Sequence, residues 1–488
     1  MEAISIFISA HFLSLVLLGL VGVLGLFLIY RGQKSYWILL YLLLWFPLEN
    51  LVLRYTPIRY YSYVKYLPEI LLYCTFFISW IRYVYREKKI LPANPLNKWL
   101  LIFVGVCVVS FFLNEYRATV WVLGMRQILR FVTVFYVVMF ENYDRLIKQK
   151  LIWLAGAMVL LQGALGIAQY AAGGWLDKYL FFSGEITVTE GARLPAIEQF
   201  WASGTRVFAT MGRYDRLGSF LALGIAVLFP WLYVVKEKMK MWYWVALAIC
   251  LVSLVLTYSR ASWLSALGAL VVIGIVVMRD HKVKKVFKIG GILLAIYLGI
   301  FVLVQGNIMD ITDRPSQPIS ERIFEAVSWR SWMQSYEGYG RIFFIINTPL
   351  VVVARYPVFG VGPGNYGGGV AAALGNSDVY DRLKLPFGIQ NVYGQIDNNW
   401  FSIWGETGTL GLVCWLIIYG LIIKEALFIS GKSHDYFVRV LARGLIGATV
   451  GIVAVGFFGP YFEFRTLMFY YWMLVGIVLS SGHSSSSS

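Results

Sequence analysis

Charge is what this sequence has little of. Lys, Arg, Asp and Glu make up 14% of its 488 residues, against about 25% in a soluble domain, which excludes a water-soluble enzyme. Histidine is scarcer still. His11 lies in an apolar run, His281 and His434 in short basic loops and His483 in the tail, and no pair has metal-ligand spacing. The four cysteines, Cys74, Cys107, Cys250 and Cys414, all sit inside apolar runs, where cysteine acts as a small hydrophobe. Neither a disulfide scaffold, a metal site nor a cofactor is expected, and nothing points to nucleic acid. What fills the chain instead is 59% hydrophobic residues, with aromatics making up 17% of the whole chain and a mean hydropathy of +0.69. Rings in that proportion suit helices anchored at two lipid–water boundaries. The expectation is an all-α, polytopic membrane protein.

Apolar stretches long enough to cross a hydrocarbon core of roughly 30 Å lie near 7–30, 36–53, 67–85, 99–113, 119–140, 151–174, 217–235, 241–257, 261–278, 287–305, 399–423, 438–458 and 466–480, giving about 12–13 transmembrane helices. The first run is too long for a cleaved leader, and the serine-rich stretch 481–488 reads as a disordered tail. Fifteen of the 18 lysines fall in the loops 31–35, 82–98, 141–150, 236–240, 279–288 and 424–437. Short lysine-rich loops stay cytoplasmic, so the two long loops, 175–216 and 306–398, are expected to face outward.

Arginine breaks that pattern. Of 24 arginines, 15 fall on the expected outer side, among them Arg193, Arg206, Arg213, Arg216, Arg260, Arg314, Arg322, Arg330, Arg341, Arg355 and Arg382. Guanidinium is a fixed fork that matches phosphate and carboxylate oxygens two at a time, whereas ammonium is a point charge. Two readings follow: an outward site for a phosphate-bearing or acidic ligand, or arginines paired with loop carboxylates such as Glu185, Glu190, Asp313 and Glu321.

The 306–398 loop is too long for a plain connection. Ile319, Ile323, Phe324 and Val327, followed by Trp329, Trp332 and Met333, keep helical spacing and predict an interfacial helix over 319–336. Ile342 to Ala354 is apolar but too short to span, so a second interfacial or re-entrant helix is expected and the loop reads as a lid on the outer leaflet. Within the spans, Arg126 and Arg130 share a face four residues apart, and Glu406 lies inside another helix. Such groups face a bundle interior or a wet cavity. They are either a structural ion pair or the wall of a chamber open to the outside, for which Arg126, Arg130, Arg260 and Glu406 are the candidates.

Four segments carry a resemblance. They are Thr205-Arg206-Val207-Phe208-Ala209-Thr210, entering a helix at Leu217-Gly218; Tyr258-Ser259-Arg260-Ala261-Ser262-Trp263; Gly340-Arg341 with Tyr356-Pro357-Val358-Phe359-Gly360-Val361-Gly362-Pro363-Gly364-Asn365-Tyr366; and Asp397-Asn398-Asn399-Trp400 running into Gly405-Glu406-Thr407-Gly408-Thr409-Leu410-Gly411. In order and spacing over roughly 200–425, the chain resembles the bacterial O-antigen ligase/O-antigen polymerase superfamily. The first 200 residues are similar only in being helical. The organisation implied is N-terminal helices and a first long loop over 1–200, a ligase/polymerase-like core over 201–425, and C-terminal helices over 426–480.

The resemblance implies a multi-pass protein of the bacterial inner membrane with its active site facing the periplasm. It implies transfer of glycan from an undecaprenyl-diphosphate donor to an acceptor hydroxyl on glycan, lipid or protein, without metal, and a chain-length regulator as a candidate partner. It places Arg206 and Arg341 on the donor diphosphate, where fixed guanidinium groups stabilise the charge gained by the leaving group. Arg213 and Arg216 stand where relatives more often carry an uncharged Asn-Pro-Asn type turn, and are further candidates for the same ligand. Where ligases of the family carry a histidine nine residues before the glutamate of the fourth segment, this chain has Asp397. A carboxylate there is more usual in polymerases; it can serve as general base on a sugar hydroxyl or cap the helix beginning at Asn398. A polymerase of surface polysaccharide is therefore expected ahead of a ligase acting on lipid A core or protein. A transporter of an anionic solute or lipid is the competing class, disfavoured by the lack of an inverted repeat or of paired broken helices.

Overall fold

A computed structural model describes residues 35–114, 116–180, 187–188, 192–193, 204–305, 308–312 and 317–484. The expected first crossing, 7–30, lies outside them. Each of the other twelve expected crossings coincides with helix. In chain order these are α1 (Tyr36–Arg54), α2 (Ile58–Glu87), α3 (Leu96–Asn114), the pair α4 (Ala118–Leu129) and α5 (Val132–Glu141), α6 (Arg145–Ala171), α7 (Tyr214–Leu228), α8 (Glu237–Leu256), α9 (Arg260–Val271) and α10 (His281–Gln305). After the long loop, whose own short helices are α11 (Ile319–Phe324), α12 (Trp329–Glu337), α13 (Arg341–Asn347), α14 (Gly369–Leu374) and α15 (Asp378–Leu383), come α16 (Asn399–Lys432), α17 (Tyr436–Val455) and α18 (Arg465–Ser484). Among the described residues, ten helices are long and apolar enough to cross a membrane, and α4 with α5, bent by 61° to one another, meet the same test only as a pair. The fold is all-α apart from a two-residue pairing of Thr187–Val188 with Ala192–Arg193.

Helices α7 and α17 form the centre: they pack on each other, and most of each is covered by protein. Helix α10 packs little, and the apolar stretch that follows its lysine-rich first turns is left uncovered by protein, as in a lipid-facing helix. In α1, Pro47 has no N–H to donate to the carbonyl of Leu43. The hydroxyl of Tyr470, on α18, donates to that carbonyl instead, while Thr466 and Thr210 donate to Phe46 O and Pro47 O at 2.8 and 2.6 Å. The proline kink is thus where α18 and the segment preceding α7 lock onto α1.

Three expectations change. The interfacial helix over 319–336 is two helices, because the Ser328 side chain accepts from Ser331 N and starts α12 afresh. The helix α18 runs on to Ser484, past the expected boundary at 480; the Ser481 hydroxyl donates to Ile477 O at 2.7 Å and accepts from Lys148 Nζ at 3.0 Å. The 306–398 loop is more than a lid, since Phe344, Val352, Val361, Tyr366, Val379, Tyr380, Leu383 and Ile396 form a small core of its own.

That core sits beside a break in α16. Gly408 has φ +66° and ψ −173°, and there the loop backbone replaces the missing helical partners. Val361 N donates to Gly405 O (2.9 Å), Gly362 N to Glu406 O (2.8 Å) and Thr409 N to Pro357 O (2.9 Å). Non-helical backbone at membrane depth is tolerated only when buried and paired in this way. The third and fourth sequence segments are therefore two halves of one interlock.

Candidate functional site

The site is built at the long-loop end of α7, α9, α16 and α18. Upstream of α7, residues 204–211 run without regular structure, and α6 holds them with two buried amides seven residues apart. Gln169 Oε1 accepts from Phe208 N (2.9 Å) and Ala209 N (2.8 Å), and Gln162 bonds both the amide and the hydroxyl of Thr210. Asp177 closes the arrangement, taking Gln169 Nε2 at 2.7 Å and Gly204 N at 2.9 Å. Held this way, Arg206 is buried to 3% exposure with its guanidinium 4.7 Å from the ring centre of Tyr214. Arg213 then begins α7 and grips Asp215 with two parallel bonds of 3.0 Å each.

Arg341 opens α13 and comes to Asp397 from the other side. Its Nη2 lies 2.8 Å from Asp397 Oδ2 and donates to Phe458 O at 2.7 Å, while Nε reaches Asp397 O at 3.2 Å. Both side chains stay about one-third exposed, so the pair remains open to a ligand. Arg213 lies in electrostatic range of Asp397. The buried Tyr461 lies in range of Asp397, Arg341 and Asp215, and burial pushes its phenol well above the usual value. The cap role foreseen for Asp397 belongs to its neighbour: Asn398 accepts from Phe401 N at 3.2 Å. Asp397 stands one residue outside the helix, its carboxylate free to face Arg341.

The remaining arginines divide. Arg322 binds Glu325 Oε2 at 2.6 Å, and Arg260 binds Glu325 Oε1 at 2.9 Å and Arg322 O at 3.3 Å. Tyr214 lies in electrostatic range of Arg206, Arg213 and Arg322, which ties these groups into one cluster. Among the described residues, Arg206, Arg213, Arg260, Arg322 and Arg341 gather here with Asp215, Glu325 and Asp397. Arg216 lies in electrostatic range of Arg213 and Asp215, and also of Glu49 and Arg465, with its guanidinium 5.4 Å over the ring of Phe464. Among the described residues, Glu325 and Asp215 supply partners to these arginines; of the loop carboxylates first considered, Glu185, Glu190 and Asp313 lie outside the described residues, as do Arg314 and the side chain of Arg193.

The four candidate chamber residues do not share one chamber. Arg126 and Arg130 turn to Glu69 on α2, with Arg126 Nη2 at 2.7 Å and Arg130 Nη1 at 3.4 Å from Oε2, and Arg260 belongs to the Glu325 group. Glu406 accepts from the loop amides of Gly364 (3.0 Å) and Tyr366 (3.4 Å). Its carboxylate thereby pins the glycine loop at the break in α16. Only Arg130 and Glu406 approach a common neighbour, Glu463. Sequence reasoning missed Gln162, Gln169, Glu69 and Glu463. For the two amides a signal existed: polar side chains seven apart on one face of an apolar span. No group of three or more His, Cys, Asp or Glu side chains suited to a metal ion occurs among the described residues.

The class defined by this fold and site is a multi-pass helical membrane protein with a partly open, arginine-bearing polar site at one end of the bundle. Residues 245–416 match the family model described as O-antigen ligase, so over that stretch the chain is similar to that family. The match covers Arg260, Arg341, Asp397 and Glu406 and the last three of the four sequence segments; Arg206, Arg213 and Arg216 precede it. No curated protein matches the chain significantly.

Proposed function

We propose that this protein transfers glycan from an undecaprenyl-diphosphate donor to an acceptor hydroxyl at the outer face of the bacterial inner membrane, polymerising repeat units of a surface polysaccharide. The observation that carries the reading is Arg341 on Asp397, both about one-third exposed, beside the guanidinium groups of Arg206 and Arg213. Diphosphate oxygens compete with Asp397 for Arg341, and Arg206 and Arg213 add two further forks, with Arg216 one turn into α7. The amino end of α7 adds its backbone dipole. Once Arg341 engages phosphate, the carboxylate of Asp397 is released to the acceptor.

The chemistry then balances without a further reactant. The acceptor oxygen bonds to the anomeric carbon, the bond from that carbon to the diphosphate oxygen breaks, and the hydroxyl proton passes to Asp397. The leaving diphosphate gains charge as it departs, and the guanidinium groups stabilise it. In this scheme no metal is needed.

A ligase handing finished glycan to lipid A core or protein is the second reading, favoured by the description of the matching family model. Purified protein in liposomes with an undecaprenyl-diphosphate oligosaccharide, and no other acceptor, separates them. A product ladder that vanishes with Arg341→Ala supports the polymerase. Transfer only after a lipid A core or protein acceptor is added makes it a ligase, and no transfer with any authentic repeat unit refutes both.

A further inference from the structure

Below the Arg341–Asp397 pair, a cavity of about 20 Å³ lies between the α4–α5 break, α16 and α18. That volume accommodates one water. Its lining includes two carboxylates from different elements, Glu406 of α16 and Glu463 of the turn before α18, together with Gln127, Trp415 and Tyr419. Trp415 Nε1 and Tyr419 Oη are buried with no hydrogen-bond partner among the described residues. A buried N–H and O–H left unpaired are costly, and a water in the cavity can accept from both while donating to the two carboxyl groups.

The two carboxyl groups hold the two ends of one loop. Glu406 Oε1 takes Gly364 N and Tyr366 N, and Glu463 Oε2 takes Gly369 N at 3.0 Å. Between those anchors, Gly367 O accepts from Ile396 N at 3.0 Å, the residue just before Asp397. The turn bearing Glu463 also carries Phe458, whose carbonyl receives Arg341. Both members of the reacting pair are therefore hung from the structure that Glu406 and Glu463 clasp.

We propose that Glu406 and Glu463, bridged by one water, form a protonation-dependent clasp that positions Arg341 and Asp397, with Glu463 as the titrating positioning residue. The groups facing Glu463 are Glu406 and Tyr419 from α16, Arg130 at the α4–α5 break, whose Nη2 donates to the Glu463 carbonyl at 3.2 Å, and the Gly369 amide. Arg130 and the amide favour the ionised form, but burial outweighs them and raises the Glu463 carboxyl to about 7. A folded-state value above the unfolded one gives a contribution that is full below about pH 4.5 and is lost as pH rises through about 7. The clasp is closed below neutrality and loosens above it.

The proposal rests on the functional reading only in taking Arg341 and Asp397 as the reacting pair, so the decisive readout needs no substrate. Hydrogen exchange of the 360–370 segment, corrected for intrinsic rates, is measured in nanodiscs at pH 6 and pH 8 for the wild type and Glu463→Gln. The amide keeps an acceptor for Gly369 N–H and cannot ionise. The wild type should lose about tenfold protection from pH 6 to pH 8, and Glu463→Gln should lose none. Equal wild-type protection at both values, or a variant that tracks the wild type, overturns the clasp. In the transfer assay, Glu463→Gln should remove the alkaline limb of the pH–kcat profile near pH 7, and persistence of that limb in the variant also overturns it. A clasp seen by exchange in a protein that transfers no glycan leaves the clasp standing and refutes the functional reading.

Discussion

Arg341 Nη2 stands 2.8 Å from Asp397 Oδ2, and the same guanidinium spans to Phe458 O at 2.7 Å, so one side chain joins the end of the long loop to the α17–α18 connection. Three hydrogen bonds leave it in a fixed plane. Lysine keeps the charge but has neither the fork nor the reach to hold two elements at once. Arg341→Lys should therefore lower kcat by about 100-fold in the liposome assay. Wild-type turnover by Arg341→Lys would sink the assignment of this residue to the diphosphate.

Asp397 and Asn398 are adjacent but do different things, and substitution separates them. Asp397→Asn removes the carboxylate and leaves the Asn398 cap on Phe401 N intact. It should abolish transfer, by about 100-fold or more, with thermal stability near that of the wild type. Asn398→Ala removes the cap at a cost of about 1 kcal/mol, read as a lower melting temperature with transfer largely kept. Full activity in Asp397→Asn leaves that residue without a role in proton transfer.

Much of the fold was legible because a lipid-crossing helix writes its length and hydropathy directly into the chain; each expected crossing that falls on described residues is a helix. Where the backbone breaks, the signal is weaker. Gly408 sits in an apolar run that reads as unbroken helix, and only its pairing with Pro357–Gly362, far away in sequence, satisfies the break. The site was legible in part. Arginine on the lysine-poor side drew attention to Arg206, Arg213 and Arg341, since charge asymmetry is a property of composition and loops. Partner choice is not: that Asp215 takes Arg213, and Glu69 takes Arg126 and Arg130, depends on which helices pack together.

The interlock makes a sharp prediction at Gly408. Its φ of +66° is in the region that side chains avoid, and an added Cβ would lie 2.3 Å from Val358 O and 2.5 Å from Gly360 N. Neither neighbour can yield, since both are backbone held in the loop. Gly408→Ala should give protein that fails to run as a single monodisperse species on size exclusion in mild detergent, or one with its melting temperature sharply lowered. A monodisperse variant of unchanged melting temperature shows that α16 runs through unbroken.

Glu69 is the hub of the ion pairs between α2, α4 and α18. Its carboxylate receives Arg126, Arg130 and, at 3.1 Å, Arg465, and also the hydroxyl of Tyr73 at 3.0 Å, while Arg465 additionally binds Glu49. With Glu69 at 3% exposure, water cannot replace the charge it supplies. Glu69→Gln keeps the shape but takes the shared carboxylate from Arg126, Arg130 and Arg465, of which Arg465 keeps Glu49, and should cost about 3–5 kcal/mol. Adding Arg126→Gln restores part of the balance, so the double variant should melt above Glu69→Gln alone. A double variant that melts lower than Glu69→Gln by the full effect of Arg126→Gln would mean that the two sites act independently and that Glu69 carries no more than a local hydrogen bond.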